Sequence, residues 1–526
     1  MGDIIELKDK TLIDMLLEEQ KQIDTPVGRF ADEAEEKAGD LPYQGLIPLS
    51  APKPGEQFAF EVNLDKCSGC KGCVTACHSL NGLDENETWR DVGLLVGGTE
   101  SHPFQQTVTT ACHHCVDPAC LNGCPVNAYE KDPISGIVLH LDDQCIGCQY
   151  CVLKCPYDVP KYSSKRGIVR KCDMCHSRLS VGEAPACVQA CPHEAIKITT
   201  VSQEERQEAS KDKASFLPGS PEPDYTVPTT RYISDKNLPS NFEAADKHVL
   251  RPQHTHWPLV GLLALSQIGI GGFVVAATSS FHNLVSQFWG LAISWAIMHA
   301  GLTCSVLHLG QPLKAWRIFL GFRKSWLSRE AIALTGVSGL ASASLGLSAY
   351  GLWFNEPIID TSLFLKPTLI TTALFGLIGV LTSVYIYVDT QRLFWKLSST
   401  ASKFYGSVAV GGLAIGTFAQ SLQGGGKLTA VLLIAASAIK LAVELKARSQ
   451  NATTLALSKG PLKPLWKARL GLAIASGILL PILFFFLPSL LLSALLLIAV
   501  TSSEVAERVF YFKAVDSPKM PGSITI

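Results

Sequence analysis

Residues 145–156 read CIGCQYCVLKCP, with Cys145, Cys148, Cys151 and Cys155 spaced C-x2-C-x2-C-x3-C and Pro156 closing the run. Residues 67–77 repeat the spacing with Cys67, Cys70, Cys73 and Cys77, but His78 stands where the proline would be. Two looser groups complete the pattern: Cys112, Cys115, Cys120 and Cys124, then Cys172, Cys175, Cys187 and Cys191, followed by Pro125 and Pro192. Sixteen of the seventeen cysteines therefore fall within residues 67–191, in four groups of four. Structural zinc usually takes C-x2-C pairs with a longer spacer between them, and disulfides belong to oxidising compartments. A third cysteine three residues on, with a fourth before proline, is the ligand run of a [4Fe–4S] cubane, in which the fourth cysteine serves the other cluster of a pair. The spacing predicts four such clusters.

Shared ligation leaves the pairing of groups open. A nested arrangement, one with four and two with three, gives Cys67, Cys70, Cys73 and Cys191; Cys172, Cys175, Cys187 and Cys77; Cys112, Cys115, Cys120 and Cys155; and Cys145, Cys148, Cys151 and Cys124. Pairing of sequence neighbours is the alternative. The compact, strand-bearing segment 126–144 between groups two and three favours nesting. Short strands are expected over 58–62, 137–140 and 195–200, and a long surface insertion carrying a Gly97-Gly98 turn lies between Cys77 and Cys112.

Outward from the cysteines the composition divides sharply. The chain has 526 residues and a formal charge of −1, so no global field points to nucleic acid. Its mean hydropathy is nevertheless positive, because long apolar runs follow Trp257. Eight candidate spans are Pro258–Thr278, Phe288–Leu307, Glu330–Phe354, Pro367–Val388, Phe404–Leu422, Leu428–Leu445, Leu470–Leu487 and Ser489–Phe510. Each is near the ~20 residues that cross a ~30 Å hydrocarbon core. The last two come from one apolar run, read as two spans hinged at Pro488.

The fold class is thus an α+β ferredoxin-like domain with four clusters, joined to an all-α polytopic membrane domain of about eight helices. The expected boundaries are 1–56 for an N-terminal extension with an amphipathic helix at 11–22, 57–200 for the cluster domain, 201–255 for a linker, 256–512 for the membrane anchor and 513–526 for a tail. Segment 201–255 is charged and proline-rich, so it is expected to bury no core and to tether the halves, with an ordered surface strap as the other possibility. Basic residues gather in the loops on the cluster side, among them Lys314, Arg317, Arg323, Lys396, Lys446, Lys463 and Lys513, while the opposite side has Lys366 and Lys427. By the positive-inside rule the cluster domain and the C-terminus face the cytoplasm across the inner membrane. The N-terminus carries neither a secretory nor a twin-arginine signal pattern.

Three cysteine stretches, CHHCVDPACLNGCP (112–125), CIGCQYCVLKCPYDVPKY (145–162) and KCDMCHSRLSVGEAPACVQACP (171–192), resemble the four-cluster subunit of dimethyl-sulfoxide-reductase-type molybdoenzymes. Four membrane stretches, HWPLVGLLALSQIGIGGFVV (256–275), LHLGQPLKAWR (307–317), LSREAIA (327–333) and SSEVAERVFYF (502–512), are similar to the anchor subunit of the same enzymes. Two normally separate subunits would then be fused here. Residues 46–95 look more like the sulfite-oxidising, cytoplasm-facing relatives. The resemblance implies a separate molybdopterin-containing catalytic subunit as partner and exchange of electrons with membrane quinone or quinol. The terminal reaction would be sulfite oxidation or S-/N-oxide reduction.

His308 and Glu330 match positions that the family associates with quinol binding and proton handling. The chemistry agrees: quinol gives up protons with its electrons, so a base beside the hydroxyl is required. Other ionisable residues have simpler readings. Lys440 and Glu444 form an i,i+4 pair expected to snorkel, and Glu504, Glu507 and Arg508 are expected at the interface. Cys304 reads as a packed small hydrophobe. His282 and His299 form no clear pair on facing spans, so no haem is expected. The functional alternative is a proton-translocating, quinone-reactive module with a ferredoxin-like electron input; a purely structural scaffold does not account for complete cysteine sets.

Overall fold

The structure, a computed structural model, describes residues 43–85, 87–239, 241–279, 283–354 and 361–522, with Met15, Leu16 and Glu19. The expected helix at 11–22 lies almost wholly outside these residues.

In the cysteine half, strand β1 (Glu56–Asn63) pairs antiparallel with a strand at Ile196–Ser202. The long insertion is a hairpin of β2 (Asp91–Gly98) and β3 (Pro103–Thr110), turning where Gly98 takes a positive φ of 86°. Two short hairpins, β4 (Tyr129–Lys131) with β5 (Val138–His140) and β6 (Lys161–Ser163) with β7 (Ile168–Arg170), stand beside the second and third cysteine groups. The Ile196–Ser202 strand is β8.

Each cysteine loop leads into a short helix. Proline after the last cysteine sets the helix length, because it disfavours helical backbone at the residue before it. Ala119–Gly123 (α2), Tyr150–Lys154 (α3) and Ala186–Gln189 (α5) all stop before the cysteine that precedes proline. With His78 in that place, Gly72–Asn81 (α1) runs on for 10 residues to a left-handed Gly82. A four-residue helix, His176–Leu179 (α4), lies inside the fourth group.

Segment 201–255 is the ordered strap. It begins with Gln203–Ala209 (α6), capped by the Ser202 hydroxyl. Arg231–Ile233 (β9) then adds parallel to β1, and Glu243–Ala244 (β10) adds to β2. Phe216, Leu217 and Phe242 are buried in the core of the cysteine half. Low average hydropathy hid these anchors, which are spaced too widely to register as an amphipathic pattern.

The membrane half is a bundle of long helices: α7 (Trp257–Thr278), α8 (Leu284–Leu307), α9 (Trp326–Trp353), α10 (Thr361–Val388), α11 (Leu397–Ser421) and α12 (Lys427–Gln450). A short α13 (Ala452–Lys459) precedes α14 (Lys463–Ile474), which continues through a π turn into α15 (Leu480–Phe486); α16 (Leu490–Lys513) completes the set. Seven of these stretches are long and apolar enough to cross a membrane, with α14–α15 counted as one, so the protein is a multi-pass membrane protein. The exception among the long helices, α11, has 25 residues and is rich in Gly, Ser and Thr. The chain does turn at Pro488 between two full-length spans.

Small residues set the packing at the centre. A Cβ on Gly271 would meet the Val408 carbonyl at 2.0 Å, and one on Gly412 would meet the Gly271 carbonyl at 2.3 Å. Such close backbone approach is how helices associate where no water drives them together.

The two halves meet over the loop between α8 and α9. Gln311 N donates to Ile146 O (3.1 Å), Gly321 N to Pro125 O (2.7 Å) and Ser325 Oγ to Gly123 O (2.6 Å). On the other side Lys154 Nζ pairs with Asp389 Oδ2 at 2.6 Å, and Arg392 Nη2 donates to Leu153 O at 3.1 Å. The second and third cysteine groups therefore stand on the membrane half.

Candidate functional site

The four cysteine loops share one backbone device. The residue before the second cysteine takes a positive φ in each: Gly69 (76°), His114 (41°), Gly147 (69°) and Met174 (58°). This turn aims successive amides inward. Gly147 N and Met174 N lie 3.4 Å from the sulfurs of Cys145 and Cys172. Ala128 N and Ala195 N donate to Cys124 Sγ (3.3 Å) and Cys191 Sγ (3.2 Å). Such N–H groups stabilise anionic sulfur.

Cys67, Cys70, Cys73 and Cys191 line one cavity, and Cys112, Cys115, Cys120 and Cys155 line another. Burial, then the neighbouring Cys187 and Cys175, push the Cys77 thiol up to about 12. Burial also drives Cys151 well above the usual thiol range, reinforced by Cys148, Cys145 and Cys124. In every neighbourhood the fourth thiol comes from a different group of the sequence. Among the described residues no trio of His, Cys, Asp or Glu converges on a single ion. Thiols spread round a cavity suit a polynuclear cluster.

Two buried cations support that fit. Arg90 and Lys171 are each 2% exposed. Lys171 Nζ donates to the carbonyls of Val138 and Cys172 and lies 3.7 Å from Cys112 Sγ. Arg90 Nη1 donates to Thr109 Oγ1 (3.2 Å), which is itself 3.5 Å from Cys73 Sγ. Arg90 Nη2 is buried without a hydrogen-bond partner among the described residues. Neither cation pairs with a carboxylate among those residues. A buried charge needs a counter-charge, and the groups of that kind facing both cations are the cysteine sulfurs.

At the junction of the halves a cavity of about 360 Å³ opens, lined mostly by apolar side chains. Cys148, His308 and Glu330 all border it, with Tyr150 and Tyr387. His308 caps the end of α8, and its Nε2 donates to the Cys148 carbonyl at 3.2 Å. A carbonyl only accepts, so this bond puts the proton on Nε2. Glu330 is 4% exposed and accepts a hydrogen bond from Ser383 Oγ. It lies on the fifth residue of α9, inside the bundle.

Several polar residues take places that their sequence pattern did not suggest. Lys440 and Glu444 do not snorkel: each is 4% exposed. Lys440 pairs with Glu504, and Glu444 with Arg469 at 2.7 Å. Glu507 and Arg508 pair with each other in the interior, and Arg508 Nη2 reaches Gln267 Oε1 at 2.7 Å. An i,i+4 pair on one helix reveals nothing about partners contributed by α14 and α16. Cys304 Sγ packs where a Cβ on Gly261 would come within 2.8 Å. Both ring nitrogens of His299 are engaged, with Trp295 O (2.9 Å) and Ser338 Oγ (2.8 Å); His282 lies outside the described residues.

Sequence reasoning missed Arg90, Lys171, Tyr150 and Ser383. Lys171 offered one signal, a lysine immediately before a cysteine motif. The other three become apparent only from tertiary contacts.

These two halves define an iron–sulfur electron-transfer protein carried by its own membrane anchor. The model of the 4Fe-4S dicluster domain matches residues 104–201, and that of the DMSO reductase anchor subunit (DmsC) matches residues 252–512. The sequence is 35% identical over 157 residues to the B subunit of anaerobic dimethyl sulfoxide reductase from Haemophilus influenzae, covering 28% of this protein and 76% of that one. It is 32% identical over 170 residues to YnfG, a probable anaerobic dimethyl sulfoxide reductase subunit of Escherichia coli K12, covering 31% and 82%. The hydrogenase-2 operon protein HybA of Escherichia coli O157:H7 is 36% identical over 180 residues, covering 29% and 54%. The protein belongs to the family of dimethyl sulfoxide reductase B subunits and fuses that iron–sulfur subunit to the anchor subunit in one polypeptide.

Proposed function

We propose that this protein relays electrons between the quinone pool and a separate molybdopterin-containing catalytic subunit, through four [4Fe–4S] clusters held by the nested cysteine sets. The single observation that carries the reading is the cavity bordered at once by Cys148, His308 and Glu330. Its volume and apolar lining suit a quinone ring, and few polar groups converge in it. The clusters, when bound, supply one-electron transfer. The residues do the rest. His308, with its proton on Nε2, has Nδ1 available to accept from a quinol hydroxyl. Glu330, oriented by Ser383, offers a second proton acceptor. The cysteine set containing Cys148 is nearest the quinone; Cys70, which is exposed, belongs to the set at the far end, where a catalytic subunit would exchange electrons.

The basic loops beside the cluster half support a cytoplasmic orientation for it, in which quinone protons would exchange with the cytoplasm. The relatives' names favour S-oxide reduction by the partner, whereas residues 46–95 favour sulfite oxidation. Affinity purification from native membranes identifies the molybdenum subunit. The quinone site is tested by His308→Ala: quinol no longer reduces the clusters, while iron content stays at the wild-type level. Normal reduction by quinol in that variant refutes the assignment.

A further inference from the structure

We propose that Arg90 and Lys171 act as fixed positive charges between successive cysteine sets and raise the reduction potentials of the clusters on either side. This rests on the four-cluster reading above.

The geometry is specific to each cation. Lys171 joins the set of Cys172, Cys175, Cys187 and Cys77 to the set of Cys112, Cys115, Cys120 and Cys155. Its Nζ holds the Cys172 carbonyl at 2.8 Å and lies 3.7 Å from Cys112 Sγ. Arg90 joins the first of those sets to the set of Cys67, Cys70, Cys73 and Cys191. It reaches Cys73 through Thr109 Oγ1 (3.2 Å, then 3.5 Å), and its side chain also lies beside Cys187 of the first set. Its guanidinium stacks 4.5 Å over the Phe60 ring, which fixes its plane.

Both cations are almost wholly buried and neither contacts a carboxylate among the described residues. An ordinary structural lysine would be paired or would reach water. Reduction adds one electron and no proton to a cluster, so a neighbouring cation favours the reduced form. The added electron is shared over the whole cluster, several ångströms beyond the sulfur, and screening weakens the interaction further; even so, a unit charge here is worth at least about tenfold in the reduction equilibrium, or about 59 mV for one electron.

The set containing Cys172 is flanked by both cations. The outer set containing Cys67 has only Arg90 beside it, and the set containing Cys112 has only Lys171. Neither cation stands beside the set containing Cys148. This asymmetry gives a pattern that general loosening of the fold would not produce.

The test is an EPR-monitored redox titration of the full chain in membranes, with iron analysis, for Lys171→Met, Lys171→Arg, Arg90→Met and Arg90→Lys. Lys171→Met should lower two potentials by at least about tenfold in equilibrium and leave two unchanged. Arg90→Met should lower a different pair, sharing one member with the first. The charge-retaining variants should keep wild-type values. Four clusters with unmoved potentials, or a uniform shift of all four, overturns the inference. Fewer than four clusters in the wild-type protein, or tightly bound zinc, overturns the underlying reading instead. If a Met variant loses iron, failure of its charge-retaining partner to restore wild-type potentials also overturns the inference.

Discussion

Replacing Glu504 by glutamine removes one carboxylate from a charge network wholly inside the helix bundle. Lys403, Lys440, Arg469 and Arg508 contribute the cations, and Glu444, Glu504 and Glu507 the carboxylates; all seven are 4% exposed or less. Glu504 contacts Lys440, lies 3.7 Å from Arg469 and accepts from Ser407 Oγ at 2.5 Å. At an effective dielectric of about 20, the 3.7 Å interaction alone is worth about 4 kcal/mol. Removing one partner of a buried pair typically costs about 3–5 kcal/mol, because the other charge is left uncompensated. The expected loss for Glu504→Gln is therefore about 4 kcal/mol, with most of it recovered in the double variant Glu504→Gln/Lys440→Met. The assay is denaturant unfolding of the purified protein in one fixed detergent, with quinol-driven cluster reduction measured in the surviving native fraction. That electron transfer should be unchanged. A stability loss below about 0.5 kcal/mol, in the range of ordinary surface substitutions, would refute the claim that these charges are desolvated and mutually dependent.

The C-terminal tail offers a second perturbation. A Cβ on Gly93 would sit 1.9 Å from the Pro521 carbonyl oxygen, so Gly93→Val should displace the tail and open the Lys519–Asp246 ion pair. Tryptic cleavage after Lys519 should then quicken roughly tenfold, the effect of about 1.4 kcal/mol; an unchanged rate would mean that the tail is not seated there. Acid stability tests His256, which lies just before α7. Burial, then His308, His254 and Arg392, hold its imidazole down at about 4. The unfolded polypeptide, with a value near ~6.5, binds the proton first. The stability contributed by neutral His256 is thus complete above pH ~6.5 and lost as pH falls toward ~4. His256→Asn should flatten the pH dependence of the unfolding midpoint across that window; a parallel pair of curves would refute the assignment.

Much of this arrangement was legible because it rests on local rules. Proline after a cysteine stops a helix, and the first cysteine helix, with His78 in that place, runs on. Apolar runs of about 20 residues announce membrane helices whatever they pack against. Tertiary partnership was not legible. The strap at 201–255 buries Phe216, Leu217 and Phe242 from a polar background, and window averages dilute such isolated anchors. Lys440 and Glu444 looked like a surface pair because i,i+4 spacing gives a relation within one helix and nothing about its neighbours. Arg469 and Glu504, which bury them, are 25 or more residues away. His308 and Glu330 stood out as ionisable residues in apolar surroundings; their position round one cavity with Cys148 required the fold.

The membrane network also bears on whether the anchor moves protons across the bilayer. Lys440, Glu444, Arg469 and Glu504 occupy the parts of α12, α14 and α16 nearer the cysteine half. Toward the opposite face the same bundle is filled by Val410, Ala414, Leu433, Leu496 and Val500, each 5% exposed or less. The layer is not wholly apolar: the Ser437 hydroxyl is buried between Leu433 and Lys440, Ser476 is buried nearby, and Thr417 bonds Thr429 at 3.0 Å. The charges themselves are linked to one another. The cavity bordered by Cys148, His308 and Glu330, by contrast, opens beside the cluster half, where the Tyr150 hydroxyl donates to Asp389 Oδ2 at 3.2 Å and Asp389 is partly exposed. On the proposed quinone reading, proton exchange at the cavity and electron exchange at Cys148 fall on the same face. The fused polypeptide, the strap and the tail make docking of the cluster half intramolecular, so that this face stays assembled independently of protein concentration. Lys440, Glu444, Arg469 and Glu504 all have partners, which suits a stabilising role in the bundle beneath the cluster half.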